Sequence, residues 1–187
     1  MSIRYSLLIT VVLLGCLPFV SHAEQQPPIG VPVPPLDEGP WVFDTAEHHK
    51  IRVSVVAKGL SHPWAITFLP DGDMLVTERP GRLRIVRHGM LDPQAISGVP
   101  TVRTDGNGGL MDVALHPHFA DNQLVYLTYT KPIGNGRGAP ALARGRLEAG
   151  KLIDVKDLLI TEAYDGNSGL NGRVVFGQDG KVYMSTG

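Results

Sequence analysis

The sequence contains three copies of one unit, in which a short apolar segment, a tight turn and a second apolar segment follow one another. The turns of the three copies lie at Pro70, Pro117 and Gln178, which are 47 and 61 residues apart. Two copies carry an Asp-Gly pair in the turn, and this pair supplies the positive φ that tight turns between antiparallel strands require. Repeats of this kind are typical of β-propellers, whose blades are small antiparallel sheets. We therefore predict an all-β chain built of β-propeller blades.

Apolar and polar residues also alternate between the repeated units, as expected of half-buried strands. Residues 83–87 are predicted to complete the first blade. Residues 141–147 and 158–161 are predicted to complete the second, with a hairpin turn at residues 148–151. The Gly-rich segment 132–138 lacks the Gly-Lys-Ser/Thr ending and the following helix of a phosphate-binding loop, so we predict a hairpin loop there. No segment combines a helical period with caps.

The number of repeats indicates how much of a propeller these residues can form. Each blade hides a face against its neighbour, and propellers close into rings of about 4–8 blades. Residues 41–187 hold about two and a half to three blades at such repeat lengths. Because an open arc would leave apolar faces in water, we expect residues 41–187 to be the N-terminal part of a longer propeller domain.

The N-terminal residues have the features of a secretory signal peptide, which we assign to residues 1–23. Arg4 supplies a positive charge, residues 5–20 are apolar, and Ser21-His22-Ala23 offers small residues for cleavage. The apolar run is short for a membrane span, and no stop-transfer charges follow it. Residues 24–40 are rich in proline, which predicts an extended linker. We therefore expect a periplasmic or secreted protein with no membrane span.

Cys16 is the only cysteine of the chain and lies inside the apolar run of the leader. The tetrapeptide that ends at Cys16, LLGC, loosely matches a bacterial lipoprotein box, in which the cysteine would be retained as a lipidated N-terminus. The apolar run continues to a better cleavage site, which favours the signal peptide. On that interpretation the mature chain has no cysteine, and therefore no disulfide and no thiolate metal site.

The charge balance argues against a nucleic-acid partner. The chain has 17 Lys and Arg against 18 Asp and Glu, a formal net charge of −1, with no long run of like charge. Nucleic-acid-binding proteins usually carry a basic patch, and membrane-surface proteins a basic amphipathic helix. Neither pattern is present in the sequence, so we expect neither a nucleic-acid partner nor binding to a membrane surface.

Three segments, taken in this order, resemble a known family. They read GLSHPWA and FLPDG within residues 59–72, LVTERPGRL at residues 75–83, and GGLMDVALHP with Phe119 within residues 108–119. In combination they resemble the soluble glucose/sorbosone dehydrogenase family of quinoprotein sugar dehydrogenases, which are periplasmic six-bladed propellers. The resemblance extends over about residues 51–187.

The resemblance implies an oxidoreductase that acts on a small sugar. In the family, pyrroloquinoline quinone (PQQ) lies across the top of the propeller together with a Ca²⁺ ion. A histidine takes the proton of the anomeric hydroxyl while hydride passes to the quinone. We expect the calcium ligands, and most residues that contact the quinone, to lie beyond residue 187. The resemblance identifies neither the sugar nor the electron acceptor.

Two residues are candidate cofactor contacts. The family usually has a quinone-contacting Gln in the loop before Gly-Gly-Leu, and this sequence has Asn107 there. Asn keeps the donors and the acceptor of the amide but is one methylene shorter. Arg173 is placed to contact an anionic quinone. An alternative for Arg173 is a residue at the start of a strand that donates hydrogen bonds to loop carbonyls.

The catalytic residue is unknown from the sequence. The family's histidine lies a few residues before a Gly-Arg pair, and this position falls on Gly169, or on Leu170 with a shift of one residue. Neither side chain can accept a proton. All seven histidines lie at or before His118. The sequence therefore departs from the family at the residue on which catalysis depends.

Other residues could replace the missing base. His116 and His118 are nearest in sequence, and His62 precedes a proline, but turn positions favour surface histidines in all three cases. Asp165 would be a weak base unless burial raised the pKa of its carboxyl. We expect Asp112, which follows an apolar stretch, to be a structural acceptor for backbone N–H groups.

Three functions are compatible with these observations. The first is a periplasmic, PQQ-dependent, sugar dehydrogenase-like oxidoreductase. The second is a non-catalytic propeller that binds a carbohydrate or a protein partner, which the missing histidine favours, because a fold does not determine a function. The third is a calcium-dependent lactonase, for which the sequence offers no set of metal carboxylates. We predict no metal ligand within these residues.

Overall fold

The structure, a computed structural model, describes residues 39–47, 49–163, 166 and 172–187. The predicted signal peptide with Cys16, and the predicted linker up to residue 38, lie outside the described residues. Asp165, Gly169 and Leu170 also lie outside them. In the described part of the chain, no helix has both the length and the apolar character that a membrane crossing requires.

The described residues form four antiparallel sheets. A two-stranded sheet pairs β1 (Trp41–Asp44) with β2 (Lys50–Val53). The first four-stranded sheet has the order β3 (Pro63–Phe68), β4 (Met74–Glu78), β5 (Arg82–Arg87), β6 (Met90–Leu91). The second has the order β7 (Leu110–Leu115), β8 (Leu124–Gly134), β9 (Arg137–Glu148), β10 (Lys151–Ile160). A last sheet pairs β11 (Gly172–Phe176) with β12 (Val182–Thr186).

The all-β propeller prediction is confirmed. Each four-stranded sheet is a blade in which consecutive strands are neighbours, and β11 and β12 are the third copy of the strand–turn–strand unit. One short helix, α1 (Phe119–Asn122), lies in the turn between β7 and β8. The predicted hairpin at residues 132–138 is also confirmed, because β8 and β9 pair across a turn in which Asn135 and Gly136 have φ of 50° and 71°.

Two predictions about outer strands need correction. Residues 83–87 form the third strand of the first blade, β5, and the short strand β6 completes it. In the second blade, the last strand does not begin at residue 158. It begins at Lys151, directly after a two-residue turn in which Ala149 and Gly150 have φ of 46° and 77°. Two register shifts in this strand interrupt the alternation of apolar and polar residues, and the sequence pattern therefore did not reveal its first half.

Apolar side chains fill the space between successive blades. The larger cluster draws on the first and second blades, and its fully buried members include Leu75, Leu83, Leu110 and Val125. A smaller cluster joins the second blade to β11 and β12 around Tyr126, Leu142 and Val174. Burying one such side chain stabilises the fold by about 1.5–3 kcal/mol. The blades are therefore held face to face by apolar packing.

Two buried threonines link successive blades by hydrogen bonds. The Thr77 hydroxyl of β4 accepts a hydrogen bond from the Ala65 N–H (3.1 Å) and donates to the Met111 carbonyl of the next blade (2.5 Å). Thr128 of β8 repeats this arrangement one blade later. Its hydroxyl accepts from the Asp112 N–H (2.9 Å) and donates to the Gly172 carbonyl of β11 (3.0 Å).

The two threonines occupy the same position of the repeat. Both side chains are fully buried, and each lies beside a register shift in the first strand of its own blade. Such an irregularity turns backbone groups out of the ladder, so they need another partner. The segment VYLT, which ends at Thr128, recurs as VYMS, which ends at Ser185. Ser185 thus occupies the corresponding position in β12.

A buried tyrosine holds the outer strand of the second blade. Tyr129 is 1% exposed, and its hydroxyl donates to the Asp157 carboxylate of β10 (2.6 Å), to which the Lys131 ammonium also donates (2.5 Å). Tyr129 lies in β8, so its side chain crosses beneath β9, where Ala141 and Ala143 leave room. Burial, followed by the hydrogen bond to Asp157 and the charge of that carboxylate, raises the pKa of Tyr129 far above its ordinary value.

The Thr128→Val substitution tests the link between blades. Valine keeps the shape but removes the hydroxyl, which leaves the buried Asp112 N–H and Gly172 carbonyl without this partner. We expect the free energy of unfolding to fall by about 1–3 kcal/mol, measured by urea denaturation. Thr101→Val, at an exposed position, is the control. Equal stability of the two variants would contradict a role for the hydroxyl in joining the blades.

Candidate functional site

The first strands of the blades begin at one end of the sheets, which we call the upper rim. Main-chain hydrogen bonds join these strand starts through Arg79. The Arg79 N–H donates to the His62 carbonyl before β3 (3.0 Å), and the Leu110 N–H of β7 donates to the Arg79 carbonyl (3.0 Å). Strand β11 joins the same end through Gly172. The turns at residues 69–73, 116–123 and 177–181 form the opposite end, the lower rim.

Asn107, the first predicted cofactor contact, lies on the upper rim. It is exposed, in a turn that ends two residues before β7. The Gly108 N–H donates to the Asp105 carbonyl (3.0 Å), which closes the turn, and Gly106 has a φ of 58°. Thr130 of β8 fastens the base of the turn, because its hydroxyl accepts from the Gly109 N–H (3.1 Å). The carboxamide is thus presented to solvent on a turn tied to the sheet.

Arg173, the second predicted contact, lies in β11 at the same rim. Its side chain is 71% exposed, and its guanidinium is 3.6 Å from the Asp112 carboxylate. Asp112 also accepts hydrogen bonds from the Val113 N–H (3.0 Å) and the Val174 N–H (2.9 Å). The prediction that Asp112 is a structural acceptor is confirmed. For Arg173, the structure shows a carboxylate partner where the alternative interpretation expected loop carbonyls.

Arg103 connects two loops of the upper rim. Its side chain is 9% exposed, and Nη1 donates to the Gly166 carbonyl (3.2 Å) in the loop between β10 and β11. Positions Gly169 and Leu170 belong to this loop but lie outside the described residues. Gly138 makes room for the arginine, since a Cβ there would lie 2.9 Å from the Arg103 Cδ. Arg103 therefore couples the Asn107 loop to the loop in which the family's histidine would lie.

The histidines considered as alternatives to the missing base lie at different ends of the sheets. His116 and His118 are at the lower rim, where the His116 Nδ1 is 3.1 Å from the donating His118 N–H and 2.9 Å from the Asn122 amide nitrogen. The half-buried His116 ring also packs edge-on against Phe176, with centroids 5.5 Å apart. It therefore has a packing role beyond that of a surface turn residue. His62 is exposed on the upper rim and has a φ of 48°.

Glu78 is a fully buried carboxylate next to Arg79. It accepts hydrogen bonds from the Ser61 N–H (2.5 Å), from Arg82 Nε (2.6 Å) and from Arg84 Nη1 (3.4 Å). Burial by itself raises the pKa of Glu78, but the Ser61 N–H and the two guanidinium groups outweigh it, so the pKa lies below its ordinary value. The ionised Glu78 thus fixes the segment that carries His62.

A cleft of about 280 Å³ opens at the upper rim between β3 and the pair β11–β12. It is lined by Trp64, Gly172, Arg173, Ser185, Thr186 and Gly187. The indole of Trp64 offers a flat apolar face and is 37% exposed. A guanidinium beside an aromatic face suits a planar anionic ligand, because it binds carboxylates with two parallel hydrogen bonds. Among the described residues, no group of three or more His, Cys, Asp or Glu could hold a metal ion.

Sequence reasoning missed three residues of this rim: Glu78, Arg79 and Arg103. Two of them belong to the segment TERPGRL, which carried the resemblance but received no role. Their partners are Ser61, Gly106 and Gly166, which are 17, 27 and 63 residues away. The sequence offered one indication of a buried charge, because Glu78 is a charged residue that directly follows the apolar strand residues LVT.

Comparisons with known proteins found one matching family model and several similar proteins. The family model described as Glucose / Sorbosone dehydrogenase matches residues 60–187. The chain is 38% identical over 139 residues to aldose sugar dehydrogenase YliI of Escherichia coli, covering 72% of this chain and 37% of that protein. It is 27% identical over 158 residues to quinoprotein glucose dehydrogenase B of Acinetobacter calcoaceticus, covering 79% of this chain and 33% of that protein.

A solved structure shows the same fold. The PQQ-bound form of aldose sugar dehydrogenase from Streptomyces coelicolor matches with a TM-score of 0.61 and 24% sequence identity. The match covers 81% of this chain and 43% of that one. The chain spans about a third of the length of the two curated relatives.

The Glu78→Gln substitution tests the buried carboxylate. It leaves two guanidinium groups without their anion, and we expect the free energy of unfolding at neutral pH to fall by about 3 kcal/mol. Because folding lowers the pKa of Glu78, its contribution is complete above the ordinary value of 4.5 and disappears as the pH falls through the folded value.

The measurement is stability against pH by denaturant unfolding between pH 7 and pH 3. The variant should lose less stability than the wild type on acidification. Glu162→Gln, at an exposed position, is the matched control and should follow the wild-type curve. A Glu78→Gln curve parallel to that of the wild type would show that this carboxylate does not drive the pH dependence.

Proposed function

Because the chain belongs to the glucose/sorbosone dehydrogenase family, we propose that the protein is an oxidoreductase that oxidises the anomeric carbon of an aldose with PQQ as the hydride acceptor. The observation that carries this proposal is the upper rim, where an exposed arginine, a carboxamide and an indole lie on linked strand starts. The names of the relatives support it, since they include an aldose sugar dehydrogenase and a quinoprotein glucose dehydrogenase. The proposed activity is that of the whole protein.

The donors of the upper rim fit the chemistry of the quinone. PQQ is a planar molecule with three carboxylates, so it needs cationic or amide donors around a flat site. Arg173 would bind a carboxylate, Asn107 would donate its amide hydrogens, and Trp64 would offer a face for the ring system. Asp112 orients Arg173 from one side and leaves most of its guanidinium accessible. The chain thus supplies part of a site for a flat polycarboxylate.

When bound, PQQ would supply a two-electron acceptor for the hydride of the anomeric carbon, so that an aldose would be oxidised to a lactone while a base takes the hydroxyl proton. The residues of this chain bind and orient. We include a Ca²⁺ ion in the proposal only because the family resemblance implies one. Its ligands would have to come from outside the described residues, which contain no group suited to a metal ion.

The proposed reaction needs a base that accepts the proton of the anomeric hydroxyl. A neutral imidazole suits the role because it titrates near working pH. The family position falls on Gly169 or Leu170, neither of which accepts a proton. His116 and His118 lie at the lower rim, away from the candidate cofactor contacts, whereas His62 lies at the upper rim. A base in this protein would therefore occupy a different position from that of the family's histidine.

We further propose that the protein acts in the periplasm or is secreted. Residues 1–23 would be the signal peptide, residues 24–40 a linker, and residues 41–187 the N-terminal part of the propeller. The leader pattern and the resemblance support this arrangement. A lipid anchor at Cys16 is the less favoured alternative.

One observation favours a second function, a non-catalytic propeller that binds a carbohydrate or a protein partner. The position of the family's base holds Gly169 or Leu170. In that case the upper rim would serve for recognition, and the exposed Trp64 would suit the apolar face of a sugar ring. The two functions differ in whether the protein binds PQQ and turns over.

Reconstitution of the whole protein with PQQ and Ca²⁺ tests the proposal. We expect reduction of an artificial dye that depends on an added aldose, followed by absorbance over a panel of aldoses. Protein incubated without PQQ is the control and should be inactive. Tight PQQ binding without turnover on any aldose would favour the non-catalytic function, and absence of PQQ binding would overturn the cofactor assignment.

The Arg173→Gln substitution tests the proposed carboxylate contact. Loss of a charge-assisted hydrogen bond of about 1.5–3 kcal/mol should raise the Kd for PQQ about tenfold to a hundredfold. Equilibrium dialysis measures this change. Lys181→Gln, which removes a cation at the lower rim, is the matched control and should leave the Kd unchanged. Similar Kd values for both variants would remove Arg173 from the site.

A further inference from the structure

Arg79 is held by its main chain at the junction of two blades. Its N–H donates to the His62 carbonyl before β3, and its carbonyl accepts from the Leu110 N–H at the start of β7, both at 3.0 Å. Arg79 directly follows the buried Glu78, which is itself held by Ser61, Arg82 and Arg84. The backbone of Arg79 therefore has little freedom, and its side chain starts from a fixed point on the upper rim.

The guanidinium of Arg79 reaches across to the turn that carries Asn107. Nη1 donates to the Gly106 carbonyl (2.5 Å) and lies 3.4 Å from the Thr104 carbonyl. These two carbonyls flank Asp105 in the turn that ends at Gly108. One planar, charged donor thus contacts two carbonyls of the turn, immediately before Asn107, the residue proposed to contact the quinone. A hydrogen bond from a charged donor is about twice as strong as a neutral one.

The glycines after Asn107 bring the turn close enough for this contact. At Gly109, which has a φ of 146°, a Cβ would lie 2.3 Å from the Arg79 carbonyl oxygen and 2.6 Å from its Cγ. At Gly108, a Cβ would lie 2.6 Å from the Arg103 carbonyl oxygen. Residues with side chains could not be placed there without moving the backbone. Gly109 therefore packs directly against Arg79, and Gly108 packs against the backbone of Arg103 at the start of the turn.

We propose that Arg79 is a positioning residue that holds the Asn107 turn in the conformation that contacts the quinone. This inference rests on the proposed function for its ligand, whereas the contact with the turn is independent of it. Arg79 acts through the turn, since its Nη1 donates to the Thr104 and Gly106 carbonyls. Asn is one methylene shorter than the family's Gln, so its reach depends more on where the turn is held.

The experiment compares Arg79→Gln and Arg79→Lys with the wild type in the whole protein. Three quantities are measured: amide hydrogen exchange of residues 104–109 without cofactor, the Kd for PQQ by equilibrium dialysis, and the Tm. Arg52→Gln, which removes an exposed cation from β2, is the matched control. Lysine keeps the charge but lacks the planar fork, so it separates charge from geometry.

We expect exchange in the turn to rise by at least about tenfold in both Arg79 variants, because the carbonyls they release are held by charge-assisted bonds. The Kd for PQQ should rise about tenfold in Arg79→Gln, while the Tm should stay close to that of the control. In an Asn107→Ala background, the effect of Arg79→Gln on the Kd should shrink, since both substitutions act on one contact. This double-variant result also holds if Arg79→Gln lowers the Tm.

Unchanged exchange in the turn of both variants would overturn the proposal. An equal rise of the Kd with and without Asn107 would also overturn it, because Arg79 would then act independently of the turn. If the turn loosens but the wild type does not bind PQQ, the positioning of the turn stands and the proposed cofactor fails. The two failures are therefore distinguishable.

Discussion

The structure depends on the hydrogen bonds by which one blade holds the first strand of the next. In each four-stranded blade, a buried threonine hydroxyl joins a backbone N–H of its own first strand to a carbonyl of the following blade. Apolar packing alone is non-directional and would let neighbouring blades slide. A buried hydrogen bond has a specific partner and is costly to leave unmade, so it sets the register between blades.

The candidate site is a consequence of that register. Asn107 and Arg173 lie in segments that lead into or begin β7 and β11, and Arg79 lies at the end of β4. They lie on one rim because the hydrogen bonds to the first strands align the blades. Asp112 shows the connection directly, since the carboxylate that accepts the Val174 N–H across the blade interface also lies beside the Arg173 guanidinium. Blade packing and the proposed ligand site are thus connected through one residue.

Charge is used in two ways on the upper rim. Glu78 is buried and surrounded by donors, so it is ionised and structural, and its lowered pKa follows from those donors. Arg173 is largely exposed and has one described carboxylate neighbour, which leaves donors for a ligand. Arg79 lies between these extremes, because its guanidinium is engaged by backbone carbonyls that carry no net charge. The rim therefore combines a buried ionic cluster around Glu78 with accessible cationic groups.

The sequence alone determined the strand–turn–strand repeat and the hairpin turns, because these depend on residues close together in the chain. It indicated that Asp112 is a structural acceptor, but the structure supplied its distant partner Val174, 62 residues away. It also contained the motifs that place the chain in its family and showed that Gly169 and Leu170 cannot accept a proton. Only the tertiary structure decided that Arg79 reaches Gly106, that Arg103 reaches Gly166 and that Tyr129 reaches Asp157 under β9. It likewise decided where β6 and β10 begin, since β6 has only two residues and register shifts interrupt the alternation of β10. These features depend on distances between residues far apart in sequence, and periodicity carries no information about such distances.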